Sequence, residues 1–124
     1  MALVVSNPNY HIAFCSKYCR KVLIGAIKAR LKELLHEKAA ELGVEITLLE
    51  IMPDYVHLAI TAPLNDTPQH LVNPFKDYTS RALGQEFPEL KRRLSPLWSR
   101  SYYLGKAGAV TEDVIRRYRE KQNK

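Results

Sequence analysis

A chain of 124 residues and 14.2 kDa has room for one domain with its own core, read here as spanning 1–124. No apolar run approaches the ~20 residues that a membrane span needs, and Met1-Ala2-Leu3-Val4-Val5-Ser6 is too short and uncharged for a signal peptide, so a cytoplasmic location without a membrane partner is expected. A net charge of +6 and a pI near 9.4 favour a polyanionic partner.

Residues 10–14, Tyr10-His11-Ile12-Ala13-Phe14, alternate as a strand with Tyr10, Ile12 and Phe14 on one face. Between 24 and 42 the residues Ile24, Ile27, Leu31, Leu34, Leu35 and Leu42 recur at helical spacing, and Gly43 is placed to cap the helix. Residues 44–51 are aliphatic and β-branched, as in a second strand. Pro53-Asp54 makes a turn, and 55–62 returns as a third strand with Val56, Leu58 and Ile60 buried and Tyr55, His57 and Ala59 on the other face. Thr67 and Pro68 are suited to start a second helix, whose stripe is Leu71, Val72, Phe75, Tyr78, Thr79 and Ala82 and which ends before Phe87-Pro88. After Lys91-Arg92-Arg93, residues 97–104 read as a fourth strand, followed by a turn at 105–108. Thr111 then caps a last helix, with Glu112 and Asp113 matched to its positive end.

The order β-α-β-β-α-β plus a C-terminal helix predicts an α+β, ferredoxin-like (split β-α-β) fold, a four-stranded antiparallel sheet with two helices on one face. The opposite face is left for a ligand, a second subunit or the last helix. The cysteines, Cys15 and Cys19, lack the additional ligands of a zinc site and read as small apolar side chains.

Two features carry chemistry. Tyr118 and Gln122 are four residues apart, so a helix points both into one site. A phenol can attack a phosphodiester, while a carboxamide oxygen and an imidazole such as His57 can hold a divalent ion. The plainer reading makes Tyr118 a core aromatic beside Val114 and Ile115. Basic groups are also interleaved with aromatics: Lys17, Arg20 and Lys21 around Tyr18, Lys91 to Arg93 ahead of Trp98 and Arg100, and Arg116, Arg117 and Arg119 around Tyr118. Such patches suit phosphates and unstacked bases.

Several separated segments resemble one family. They are Tyr10-His11-Ile12, Lys17-Tyr18-Cys19-Arg20-Lys21-Val22-Leu23, Ile51-Met52-Pro53-Asp54-Tyr55-Val56-His57-Leu58, Phe87-Pro88-Glu89-Leu90-Lys91, Leu97-Trp98-Ser99-Arg100-Ser101-Tyr102-Tyr103-Leu104-Gly105 and Tyr118-Arg119-Glu120-Lys121-Gln122. In this order, from about 9 to 122, they resemble the single-tyrosine HUH transposases of the insertion sequence 200/605 family. The resemblance implies a transposase acting on single-stranded DNA with imperfect hairpins at the element ends. It implies attack by Tyr118, giving a 5′-phosphotyrosine and a free 3′-hydroxyl, followed by strand transfer. It implies magnesium or manganese held by a His-hydrophobic-His motif and by Gln122. It also implies a homodimer in which the tyrosine helix of one subunit completes the site of the other.

The chain departs from that pattern at Tyr55, where the family's first histidine stands; His57 matches the second. A neutral phenol with an ordinary pKa near 10 is a poor ligand. Either Tyr55 coordinates through oxygen, or water, Asp54 or another oxygen takes the place, or the chain is a decayed copy that binds DNA and cuts poorly. His11 shares the open-face parity but reads first as an ordinary strand residue. Lys17, Arg20, Lys21 and Arg100 are expected at phosphates, with Lys76 and Arg81 on the second helix as further candidates. Trp98 is expected in the core. The alternatives to a transposase are a hairpin-binding relative without catalysis and, third, an RNA-binding module, whose glycine-containing aromatic motifs are missing beside Tyr10, Phe14 and Tyr55.

Overall fold

A computed structural model describes residues 9–61, 69–106 and 112–122 of the chain. In order the elements are β1 (Asn9–Cys15), a single 3-10 turn (Lys17–Cys19), α1 (Gly25–Leu42), β2 (Glu45–Met52), β3 (Tyr55–Thr61), α2 (Gln69–Glu86), α3 (Pro88–Arg93), β4 (Tyr103–Lys106) and α4 (Glu112–Gln122). The strands form one antiparallel sheet in the order β2-β3-β1-β4. This is the expected α+β, split β-α-β arrangement.

The strand alternation decides which residues meet the helices. Ile12 and Phe14 of β1 and Val56, Leu58 and Ile60 of β3 are wholly buried against Leu31, Leu34 and Leu35 of α1 and Leu71, Val72 and Phe75 of α2. Trp98 joins them, edge-on to Phe14 at 4.7 Å between ring centres, and its indole N–H donates to Thr79 Oγ1 at 3.0 Å. A buried indole needs such an acceptor. Gly43 ends α1 at φ 73°, and its N–H reaches back to the carbonyls of Ala39 and Ala40. On β2 the register shifts between Ile46 and Leu48, so Ile46 and Leu49, an odd number of residues apart, both pack against the core.

Three expectations change. Residues 97–102 do not extend the fourth strand; only Trp98 bridges to Ser16, and β4 begins at Tyr103. The carbonyls of Ser99, Arg100 and Ser101 instead converge on the Lys76 ammonium at 2.8, 3.3 and 3.3 Å, which diverts them from a ladder. Residues 88–93 form a short helix with Pro88 at its first position, where the missing N–H is harmless. Of the turn read at 105–108, Gly105 and Lys106 belong to β4. The cap at Thr67 and Pro68, the rest of that turn and the cap at Thr111 lie outside the described residues.

Phe14 touches both core layers, so Phe14→Ala is expected to destabilise the protein by about 3–5 kcal/mol, read from urea denaturation. A loss under about 1 kcal/mol would mean that this core does not form as described.

Candidate active site

The sheet face opposite α1 and α2 is built in rows. The register places Glu50, His57, Ala13 and Tyr103 side by side across the four strands, with Met52, Tyr55 and Cys15 in the next row. His11 lies opposite Ala59, diagonal to His57 on the same face. The small side chains of Ala13, Cys15 and Ala59 form a low floor, and all three are buried. Ile115 of α4 is buried as well, and between α4 and β3 a cleft of about 260 Å³ is lined by Glu50, Tyr55, His57, Ile115, Arg116 and Arg119.

His57 is only 7% exposed and has a partner on each ring nitrogen. Its Nε2 lies 2.8 Å from His11 Nδ1, and its Nδ1 lies 3.0 Å from Glu50 Oε1. A carboxylate only accepts, so the Glu50 contact places a proton on Nδ1, and the tautomer that carries this proton alone presents a lone pair on Nε2. Burial and the neighbouring His57 both lower the pKa of His11, which keeps it neutral at pH 7. Tyr55 lies in the cleft lining, and burial, then the Glu50 charge, push its pKa above the ordinary value. It is a phenol rather than a phenolate at neutral pH.

Tyr118 and Gln122 meet at a different partner. Ser101 Oγ donates to Gln122 Oε1 at 2.6 Å and lies 3.2 Å from Tyr118 Oη. A hydroxyl has one proton, so with Gln122 as its acceptor Ser101 receives the proton of Tyr118. The ring of Tyr118 also packs 6.4 Å from that of Tyr103. Burial pushes the Tyr118 phenol up to about 12, with hydrogen bonding to Ser101 offsetting part of it.

The rotation of α4 is set by Arg119. Its Nε donates to Asp54 Oδ2 at 2.8 Å, and its guanidinium lies 5.9 Å from the Tyr55 ring centre. Asp54 is 5% exposed, and its backbone carbonyl also accepts from the N–H of Ser16 at 3.0 Å. A carboxylate so buried requires a cation or strong donors.

The basic residues divide. Arg20, Lys21, Arg81 and Arg100 are exposed and Lys17 is half-buried. Lys17 Nζ lies 5.4 Å from the ring centre of Tyr18, which is 69% exposed at φ 59°. Lys76 is corrected: it is 9% exposed, and its ammonium holds the three carbonyls of 99–101 rather than facing solvent. Its place between Val72, Phe75, Thr79 and Leu83 on the core side of α2 was the available sequence signal.

Thus one chain gathers His57, His11 and Glu50 at one point and Tyr118, Gln122 and Ser101 at another, and the two sets share no residue. Among the described residues no three His, Cys, Asp or Glu side chains are arranged to hold a metal ion. Two imidazoles, one of them backed by a carboxylate, nevertheless offer two nitrogens to a divalent ion that fills its other positions with waters and phosphate oxygens, a set that suits a transition ion such as manganese better than magnesium. Neutral Tyr55 is a poor member of such a set. Sequence reading missed Ser101, the Asp54–Arg119 pair and Glu50. The last was available from the hairpin, because Glu50 faces His57 across the turn at Pro53-Asp54.

Residues 4–122 match the family described as IS200-like transposases, and the chain belongs to that family. Its members are transposases of insertion sequences, which cleave and rejoin DNA. Over 117 residues it is 34% identical to the ISDra2 transposase TnpA of Deinococcus radiodurans, covering 93% of this chain and 84% of that one. It is 28% identical to the transposase for insertion sequence element IS200 of Salmonella typhimurium, over 89% of this chain and 76% of that one. A crystal structure assigned as a transposase of Deinococcus radiodurans R1 superposes with a TM-score of 0.90 at 31% identity, covering 98% and 95% of the two chains. A REP-associated tyrosine transposase bound to a REP hairpin shares the fold, with a TM-score of 0.65 at 14% identity, over 94% of this chain and 66% of that one. No helix among the described residues is long and apolar enough to cross a membrane.

With its pKa near 12, Tyr118 is expected to stay protonated at pH 10.5, where an ordinary tyrosine is mostly ionised. The ultraviolet difference spectrum between the wild-type protein and Tyr118→Phe should then show no phenolate band at that pH. A full band would contradict the buried placement.

Proposed function

We propose that the chain is an active single-strand transposase in which Tyr118 is the nucleophile and the active site is shared between two copies of the chain. The observation that carries this reading is the division of donors: Tyr118 and Gln122 meet at Ser101, while His57 is paired with His11 and Glu50. Tyr103 and His57 stand two strands apart in one row, roughly 10 Å by strand spacing. A nucleophile beside Tyr103 is therefore displaced from its own His57, and a second copy offering its last helix brings the two sets together.

In the reaction the Tyr118 oxygen attacks the phosphorus of a phosphodiester, and the bond from phosphorus to the 3′ oxygen breaks. The phenol loses its proton and the departing 3′ oxygen takes one, which leaves a 5′-phosphotyrosine and a free 3′-hydroxyl. One phosphate ester bond forms for each one broken, so the reverse attack by a 3′-hydroxyl on another strand is strand transfer. A divalent ion, Mg²⁺ or Mn²⁺, held by His57 with Gln122 of the second copy, would supply positive charge at the attacked phosphate. Ser101 takes the Tyr118 proton in a hydrogen bond and orients the phenol. Lys17, Arg20, Lys21, Arg81 and Arg100 bind backbone phosphates of single-stranded DNA carrying a hairpin at the element end. That partner is consistent with the hairpin bound by the REP-associated transposase of the same fold. A relative that binds hairpins without cutting remains the second reading, favoured by Tyr55 in place of an imidazole.

Tyr118→Phe keeps the ring and removes the attacking oxygen. It is expected to retain hairpin binding and to form no covalent adduct on denaturing gels with labelled element ends and manganese. Mixing Tyr118→Phe with His57→Ala should restore adduct formation, because one mixed site holds both missing groups. Failure of the mixture while each variant dimerises would refute the shared site, and an adduct persisting in Tyr118→Phe would sink the nucleophile assignment.

Five phosphate contacts predict a logarithmic salt slope of about −3.5 on single-stranded oligonucleotides. Lys76→Met should leave that slope unchanged, since its ammonium is committed to backbone carbonyls. A slope near zero, or one that falls in Lys76→Met, would overturn the assignment of contacts.

A further inference from the structure

We infer that His11 is a metal ligand, supplying from the neighbouring strand the second imidazole that Tyr55 does not. The inference rests on the reading of His57 as a ligand and assigns a role to a side chain outside the 55–57 motif. His11 and His57 come from different strands, and the β1–β3 register sets them diagonally on the open face. The two nitrogens that approach one another, His11 Nδ1 and His57 Nε2, are 2.8 Å apart. Adjacent nitrogens on one octahedral ion, each at about 2.1 Å, stand roughly 3 Å apart, so the separation already suits a shared ion once each ring turns its lone pair from the other nitrogen toward that ion.

The surroundings agree with that use. Glu50 Oε1 at 3.0 Å takes the proton on His57 Nδ1 and directs the lone pair of Nε2 at His11. A carboxylate behind a ligating imidazole fixes its tautomer and raises its basicity. In the metal-free pair the proton between the rings sits on His11 Nδ1. Binding moves it to His11 Nε2 by tautomerisation, through solvent, so no net proton is released and both facing nitrogens present lone pairs. Tyr55, held as a neutral phenol, is not needed.

The experiment titrates the full-length protein with Mn²⁺ and follows free manganese by electron paramagnetic resonance. Pulsed measurements then count the nitrogens coupled to the bound ion, and thermal unfolding checks that each variant is folded. The wild-type protein is expected to show two coupled nitrogens. His11→Ala should bind roughly tenfold or more weakly and show one, while Tyr55→Phe binds as the wild type does. Adding Tyr55→His to His11→Ala should restore the affinity and the second nitrogen. If His11→Ala fails to fold, His11→Asn carries the same expectation. A single coupled nitrogen in the wild-type protein, or unchanged binding in the folded His11 variants while His57→Ala loses the ion, would overturn the role of His11 alone. Unchanged binding in His57→Ala as well would remove the metal reading altogether, and His11 with it.

Discussion

The ion pair between Asp54 and Arg119 fixes the relation between the sheet and its last helix. Asp54 is a turn residue whose carboxylate is nearly closed off from water, and a charge in that position is tolerated only with a partner. Arg119 reaches it from α4 at 2.8 Å. The carbonyl of Asp54 meanwhile receives Ser16, and the carbonyl of Pro53 receives the N–H of Leu23, so one hairpin turn anchors the end of β1 and the approach to α1. Once Arg119 is directed at that turn, helical geometry leaves no freedom for its neighbours. Ile115, four residues earlier, is on the same side and is buried. Tyr118, about 100° away, turns toward β4, and Gln122 follows it one turn later. The meeting of Tyr118 with Ser101 is thus a consequence of one buried carboxylate.

Most of the fold was legible because its elements have clean periods. The 3.6-residue stripe at Leu31, Leu34 and Leu35 and the alternation at Val56, Leu58 and Ile60 each named a buried face correctly. The site was legible only in part, and the reason is the range of the contacts. Glu50 opposite His57 is a local fact of a tight hairpin, readable from the turn. His11 beside His57 depends on how β1 slides against β3, which no local pattern specifies, and so the alternating strand gave His11 an ordinary place. Residues 97–102 were misread for a related reason. Their composition suits a strand, but their carbonyls are held by an ammonium that comes from α2.

Lys76 illustrates how charge can mislead where periodicity does not. Counted among the cations it belongs to the basic surface, whereas counted along the helix it falls within the apolar stripe. Burial lowers the pKa of its ammonium, and three carbonyls supply the donor–acceptor contacts that water would otherwise give. The segment it holds, Ser99 to Ser101, ends in the hydroxyl that receives Tyr118. The core of the two-helix layer therefore reaches the open face through a single lysine.

That arrangement has a chemical consequence under the proposed reading. A phenol pushed up to about 12 is almost entirely protonated at neutral pH, and its proton already has an acceptor in Ser101. Attack on phosphorus needs that proton removed and the oxygen brought beside positive charge. No base for that proton is available at Ser101, because the hydroxyl is a weak base and Gln122 accepts its own proton, and the nearby Lys76 ammonium is committed to backbone carbonyls. The imidazole pair is elsewhere, beside Glu50. Under that reading a single subunit holds Tyr118 as a protonated phenol at Ser101, apart from the imidazole pair, and attack requires both its position and its acidity to change.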